Sequence, residues 1–138
     1  MIRSLDGKTP RIDERAFVSE AAYIIGDVEI GPYASIWPGV VIRADSGVIK
    51  IGSHTNIQDN SVLHADADAE IGSHTTIGHN VVCHAKRVGD RCLLGNGAVL
   101  NEGCEVGNDC LVAANSTVIE SMLVPDGSLV RGSPARVR

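Results

Sequence analysis

A six-residue pattern repeats along most of the chain, and this period constrains the fold more than any other feature of the sequence. From Val18 the blocks are VSEAAY, IIGDVE, IGPYAS, IWPGVV and IRADSG, and the pattern continues to VRGSPA near the C-terminus. Nearly every block opens with Val, Ile or Leu, and its fifth residue is usually small or β-branched. A six-residue period drifts out of phase with the 3.6-residue turn of a helix, so the repeat excludes a long amphipathic helix.

The repeat predicts a parallel β-helix. The first and fifth residues of each block should point inward, while Gly, Asp and Asn at the second to fourth positions form the corners. Three blocks make one triangular coil, and successive coils pair as parallel strands about 4.8 Å apart. The phase slips by three residues across 48–50 and by two after LHADAD, and one residue is missing after CHAKR. We expect one all-β domain spanning residues 1–138, with Ser46 among the inward fifth positions.

The composition agrees with short strands and limits the partners. Hydrophobic residues make up 43% of the chain but aromatic residues only 3%, so the core should consist mainly of Val, Ile, Leu and Ala. The net charge is −5 without a basic cluster, which argues against nucleic acid as the main partner. No apolar run approaches the roughly 20 residues needed to span a bilayer, and the charged N-terminus does not resemble a signal peptide. We expect a cytoplasmic protein with no membrane partner.

The four cysteines fall at inward positions of the repeat. Cys83 is the first residue of its block, and Cys92, Cys104 and Cys110 are fifth residues. No CxxC spacing occurs, so neither a zinc ribbon nor a redox pair is indicated. Buried thiols behave as small hydrophobic residues, and we expect these four to belong to the core.

Two of the five histidines share one position of the repeat. His64 and His84 are the second residues of LHADAD and CHAKR, one coil apart, so both should project from one face with Cβ atoms about 5 Å apart. Imidazoles at that spacing can share a metal ion at about 2.0–2.1 Å per bond. Arg43 falls on the same face one coil earlier. By contrast, His54 and His74 occupy the fourth, corner position and are predicted to be solvated turn residues.

A third histidine, His79, falls on the preceding face, so a corner of the prism separates it from that pair. One coil before it, at the same block position, is Asp59, beside Gln58. If two subunits bring these neighbouring faces together, their contact holds three imidazoles and an ion pair between Arg43 and Asp59. A closed three-fold ring has one such site at each interface, so the spacing predicts a homotrimer.

Four motifs occur in order along the chain: RAD (Arg43, Asp45), NIQD (Asn56, Gln58, Asp59), His64 in VLH, and HNVVCH (His79, His84). Together they resemble the gamma-class carbonic anhydrase family, and the resemblance extends over almost the whole chain. It implies a left-handed β-helix and a homotrimer in which three histidines bind zinc, or iron or cobalt. His64 and His84 would come from one subunit and His79 from its neighbour. Gln58 would orient the metal-bound hydroxide, supported by Asn56.

The resemblance also implies a reaction. A zinc ion held by three neutral imidazoles keeps its full charge and lowers the pKa of bound water from 15.7 toward about 7. The hydroxide then attacks carbon dioxide to give bicarbonate, and a proton must leave to regenerate the site. We therefore favour a carbonate dehydratase with carbon dioxide and bicarbonate as its substrates.

Two departures from the family keep other functions open. Family members usually continue beyond the GxPA segment into a C-terminal helix, which we expect to be absent here because the chain ends after GSPARVR. The chain also lacks the acidic loop that carries a proton-shuttling Glu in the best-studied type. One alternative is a metal-binding trimeric scaffold without significant hydratase activity. The other is an acyltransferase, although such enzymes usually need longer insertions than the slips of one to three residues found here.

Overall fold

The computed structural model describes residues 1–138 as a triangular prism of strands, with no helix. We number its faces in the order in which the chain visits them. Face 1 consists of Phe17–Val18, Ser35–Ile36, Asn56–Ile57, Thr76–Ile77, Leu93–Leu94, Leu111–Val112 and Leu129–Gly132. Face 2 contains Val62–His64, Val82–Cys83, Val99–Leu100 and Thr117–Val118. Face 3 contains Arg11–Ile12, Ala69–Ile71, Arg87–Val88, Glu105–Val106 and Leu123–Val124.

Two long strands connect the faces, and two short ones lie near the chain termini. The strands Tyr23–Ile30 and Val41–Ile51 run through faces 2 and 3 and join them into one twelve-stranded sheet. Ile2–Arg3 pairs with the start of Tyr23–Ile30. Ala135–Val137 is antiparallel to Leu129–Gly132, so the last repeat block turns back on itself. No part of the chain forms a helix that is long and apolar enough to cross a membrane.

Strand pairing aligns the same block positions in successive coils. On face 1 the inward residues Ile36, Ile57, Ile77 and Leu94 pair in sequence, and each has an exposed fraction of 0%. The 31 buried hydrophobic residues form one cluster along the axis of the prism. All four cysteines are free and buried. These observations confirm the all-β parallel β-helix and the core positions of the cysteines, whereas the left-handed sense stays a prediction.

The fourth block position supplies most of the corners. Thirteen residues at this position have positive φ: Tyr33, Gly39, His54, Asn60, His74, Asn80, Arg91, Gly97, Gly103, Asp109, Asn115, Ser121 and Gly127. None is β-branched, because such side chains are strongly disfavoured in the left-handed region. His54 and His74 are exposed, with ring centroids 4.7 Å apart and nearly parallel planes. They are turn residues, as predicted.

Polar residues at inward fifth positions hydrogen-bond to the next coil. The hydroxyls of Thr55, Ser61 and Thr75 donate to the carbonyl oxygens of the following coil at 2.6, 2.7 and 2.7 Å. A buried hydroxyl without a partner costs free energy, and these three are all satisfied. Ser61 donates to Gly78 and also accepts from the amide of Val81, so it holds the turn that carries His79.

The three-residue slip lies earlier than predicted. Ala44 pairs with Gly26 and Ile49 pairs with Val28, so the extra residues lie between Ala44 and Ile49 rather than at 48–50. Ile49 is 3% exposed and takes the inward place, whereas Ser46 is exposed. The prediction for Ser46 was wrong because burying the large apolar side chain of isoleucine is more favourable than burying a serine. The extra residues therefore bulge outward at the corner.

Candidate metal centre

Face 2 brings His64 and His84 together. The strands Val62–His64 and Val82–Cys83 pair in register. His64 ends the first strand and His84 directly follows the second, so the two histidines occupy the same place on adjacent coils. The two rings stack with centroids 4.8 Å apart and planes inclined by 27°. Their side chains are 17% and 29% exposed, so both imidazoles are partly sheltered from water but remain reachable from the surface. The two histidines therefore lie on one face in adjacent coils, as the repeat predicts.

Asp45 holds the His64 ring. Its carboxylate accepts a hydrogen bond from Nε2 of His64 at 2.8 Å, and this bond is the main reason that the pKa of Asp45 is lowered. The other carboxylate oxygen lies 3.6 Å from the Arg43 guanidinium. A carboxylate that accepts from one ring nitrogen fixes the orientation of the imidazole and leaves the lone pair on the other nitrogen. Arg43, Asp45 and His64 thus form one connected group.

The His84 ring has an unused nitrogen. Its Nε2 atom is buried without a hydrogen-bond partner, and the closest acidic oxygen, Oδ1 of Asp66, is 3.8 Å away. Leaving such an atom unpaired costs about 1–3 kcal/mol, and in the tautomer that carries its proton on Nδ1 the lone pair of Nε2 can bind a ligand. One ligand atom from each of His64, Asp66 and His84 lies within 4.8 Å of the other two. Neutral imidazoles and a carboxylate are donors that suit a divalent transition-metal ion, and these residues fit one.

His79 lies outside that group. It is on face 1 with its side chain 47% exposed, and its Nδ1 atom is 3.4 Å from Oδ1 of Asp59. The backbone amide of His79 donates to Oδ1 of Asn96 in the next coil at 2.9 Å, which holds the turn before Asn80. One chain therefore brings two of the three predicted histidine ligands together, and the third faces away from the prism on the neighbouring face.

The remaining predicted site residues, Asn56 and Gln58, lie on face 1 with His79. Asn56 and Gln58 are half-buried on face 1, where Oδ1 of Asn56 accepts from the Ser35 hydroxyl at 3.2 Å. Sequence reasoning missed two residues of this region, Asp66 and Asn96. The position of Asp66 two residues after His64 was the only available signal for it.

The three faces differ in their outward side chains. Face 3 carries an in-register column of alternating charge: Arg11, Glu29, Lys50, Glu70, Arg87 and Glu105. Contacts of 3.0 to 3.7 Å join several of these neighbours. Face 3 exposes one aliphatic side chain, Leu123, at the end of this column. Face 2 exposes Val62 and Val82 beside the histidines, and face 1 exposes Leu93, Leu111 and Leu129. Charge is therefore concentrated on the face that lacks the predicted site residues.

Comparison with known proteins places this geometry in a family. The repeat family described as "Bacterial transferase hexapeptide (six repeats)" matches residues 86–120. "Gamma carbonic anhydrase 1, mitochondrial" of Arabidopsis thaliana is 41% identical over 94% of this chain, which covers 50% of that protein. This chain thus spans about half the length of that relative.

Two further relatives are covered over most of their own length. "Probable carbonic anhydrase" of Methanocaldococcus jannaschii is 39% identical over 91% of this chain and 80% of that protein. The crystal structure of a hexapeptide transferase family protein from Anaplasma phagocytophilum has a TM-score of 0.81 and 38% identity, covering 99% of this chain and 82% of that one. The repeat, the paired histidines on face 2 and these relatives lead to one conclusion: the chain belongs to the gamma carbonic anhydrase family of hexapeptide-repeat proteins.

Proposed function

We propose that this protein is a metal-dependent, carbonic anhydrase-like enzyme that reversibly hydrates carbon dioxide to bicarbonate. The observation that carries the proposal is the unpartnered Nε2 of His84 stacked beside His64, in a chain whose relatives are named carbonic anhydrases. The site would lie between subunits of a homotrimer, with His64 and His84 from one subunit and His79 from the next.

The distribution of surface residues supports this assembly. Face 3 presents a column of alternating charges, which is the composition of a solvated surface. Faces 1 and 2 expose aliphatic side chains near His79 and His64, and obligate interfaces are richer in such side chains than other surfaces. Packing face 1 of one subunit against face 2 of the next would cover both apolar columns and close a ring of three.

The cation is proposed to be zinc, with iron or cobalt as alternatives, since neutral imidazoles suit all three. When bound, it supplies a Lewis acid that activates water for attack on carbon dioxide. His64 and His84 would hold it in one subunit, and Asp45 would keep the His64 ring in place through the bond to Nε2.

Residues on face 1 would complete the site from the neighbouring subunit. Gln58 and Asn56 bring amide groups to the same face as His79, and an amide can orient the attacking oxygen by hydrogen bonding. The Asp59 carboxylate is half-exposed and its ion-pair partner within the chain is His79, so its second oxygen is available to Arg43 across the interface.

Two other functions are alternatives. The likeness to a hexapeptide transferase structure favours acyl transfer as a candidate. However, the slips of the repeat involve only one to three residues, whereas such acyltransferases usually need longer insertions to shape a cleft for the acyl donor. The other alternative is a metal-binding scaffold without turnover.

One experiment separates the carbonic anhydrase-like enzyme from the metal-binding scaffold. Metal content and carbon dioxide hydration are measured on wild type, on His79→Ala, and on His74→Ala as a control at an exposed corner histidine. We expect near-stoichiometric metal in wild type and unchanged activity in the control. Loss of a ligand should lower hydration in His79→Ala more than about 100-fold, since even outer-sphere changes cost 10–100-fold. If wild-type protein purified without chelator contains no metal, the proposal is contradicted. Bound metal without hydration activity would favour the scaffold.

A further inference from the structure

We propose that Asp66 is a third metal ligand within a single chain, so that one subunit binds a divalent cation through His64, Asp66 and His84 without its neighbour. This inference rests on the proposed metal site and concerns a single chain: in the assembled site the neighbour's His79 would take the place of Asp66, which keeps one position open for water. The cation could then bind before two subunits meet.

The ligand atoms of the three residues lie close together. One ligand atom from each of the three residues lies within 4.8 Å of the other two, whereas His79 is absent from this group. Donors at about 2.1 Å from a common ion lie roughly 3–3.5 Å apart, so small side-chain rotations close the site. Asp66 is 52% exposed and Oδ1 already lies 3.8 Å from Nε2 of His84, so its side chain has the freedom to make that rotation.

Asp66 borders a small pocket on the surface. A surface pocket of about 90 Å³ is bounded by Asp66, His84, Lys86 and Glu102, which leaves room for water ligands beside a cation. The pocket therefore contains the carboxyl groups of both Asp66 and Glu102, and a cation there would reduce the repulsion between two carboxylates.

The two imidazoles and the carboxylate suit a divalent cation. Two histidines and one carboxylate form a common set for zinc and for non-haem iron. Two imidazoles alone would hold a cation weakly, and the negative carboxylate adds Coulombic attraction to the third bond. The same carboxylate would lower the net charge of the site from +2 to +1. A single chain would therefore gain affinity for the ion while losing some of the Lewis acidity that three neutral imidazoles retain.

Cobalt(II) titration in competition with a chelating dye tests this inference. The background variant is His79→Ala, which removes the ligand expected from the neighbour. We compare it with His79→Ala/Asp66→Asn and with a matched control, His79→Ala/Asp68→Asn. Asp68, like Asp66, lies between the strands Val62–His64 and Ala69–Ile71, and its Oδ1 accepts a backbone hydrogen bond that asparagine can also accept.

We expect His79→Ala to bind about one cobalt(II) per chain, because its three remaining donors lie on one chain. Asp66→Asn should weaken that binding more than about tenfold, and Asp68→Asn less than about threefold. Equal affinities in the two double variants would overturn the role of Asp66. Absence of cobalt binding in His79→Ala, with binding retained in wild type, would overturn the single-chain site and leave the proposed function intact. Absence of binding in wild type would overturn the proposed function itself.

Discussion

The stack of inward residues on face 1 predicts a large and position-specific loss of stability when one of them is truncated. Ile77 is 0% exposed and pairs with Ile57 below it and Leu94 above it. In a prism whose coils contact only their neighbours, the cavity left by Ile77→Ala cannot be filled from elsewhere. The free energy of unfolding should fall by about 2–5 kcal/mol, and by about 0.5–1.5 kcal/mol in Ile77→Val.

The matched control is Thr76→Ala, on the same strand but pointing outward. It should change stability by less than about 0.5 kcal/mol, because it opens no cavity. Denaturant unfolding followed by far-UV circular dichroism measures both, at one fixed protomer concentration since assembly contributes to apparent stability. If Ile77→Ala and Thr76→Ala lose the same stability, the alternation of inward and outward positions is wrong on this face.

Three further predictions test the coil spacing, the core and the surface ion pairs. Gly52→Ala would place a Cβ atom 2.5 Å from the backbone of Gly72, which cannot move aside; its cost should be about 3 kcal/mol. Gly127→Ala meets no atom within 4 Å and should cost about 1 kcal/mol of left-handed strain, so equal losses would contradict the spacing. Burial raises the pKa of Cys83 from 9.0 to about 11, which lowers the fraction of thiolate at pH 8 roughly 100-fold. Cys83 should therefore react with iodoacetamide roughly 100-fold more slowly than in the unfolded chain; equal rates would show that the Cys83 side chain is accessible. The Arg91 hydrogen bonds lower the pKa of Asp109 below 3.8, so their stabilisation is present above pH 3.8 and is lost as pH falls through the lowered value. Asp109→Asn should reduce this acid sensitivity in unfolding experiments, and an unchanged pH profile would refute the role of that pair.

The sequence predicts the fold well because each block position corresponds to one direction from the axis. That rule was sufficient to place His64 beside His84 and to separate them from His79. It fails where the period is interrupted. Ser46 was misplaced because the sequence shows that three residues are extra without showing which of them bulge outward.

The same limitation explains the missed residues. Asp66 lies in the second irregular stretch, where two extra residues remove the relation between block position and face. Asn96 sits at a regular position, but its role depends on a side-chain bond to the amide of His79 in another coil. Asn108, at the same block position, accepts in the same way from the amide of Asp90. The position therefore recurs in the repeat, but the sequence alone does not show which amide in another coil its side chain reaches.

Mixed trimers of two inactive variants test the shared site most directly. His79→Ala keeps His64 and His84, and His84→Ala keeps His79, so neither variant alone can form a complete site. An intact site needs each half from a different variant, so random assembly of equal amounts should restore about one quarter of wild-type hydration. Activity no higher than the sum of the two separate variants, in trimers shown to contain both, would contradict a site built between subunits.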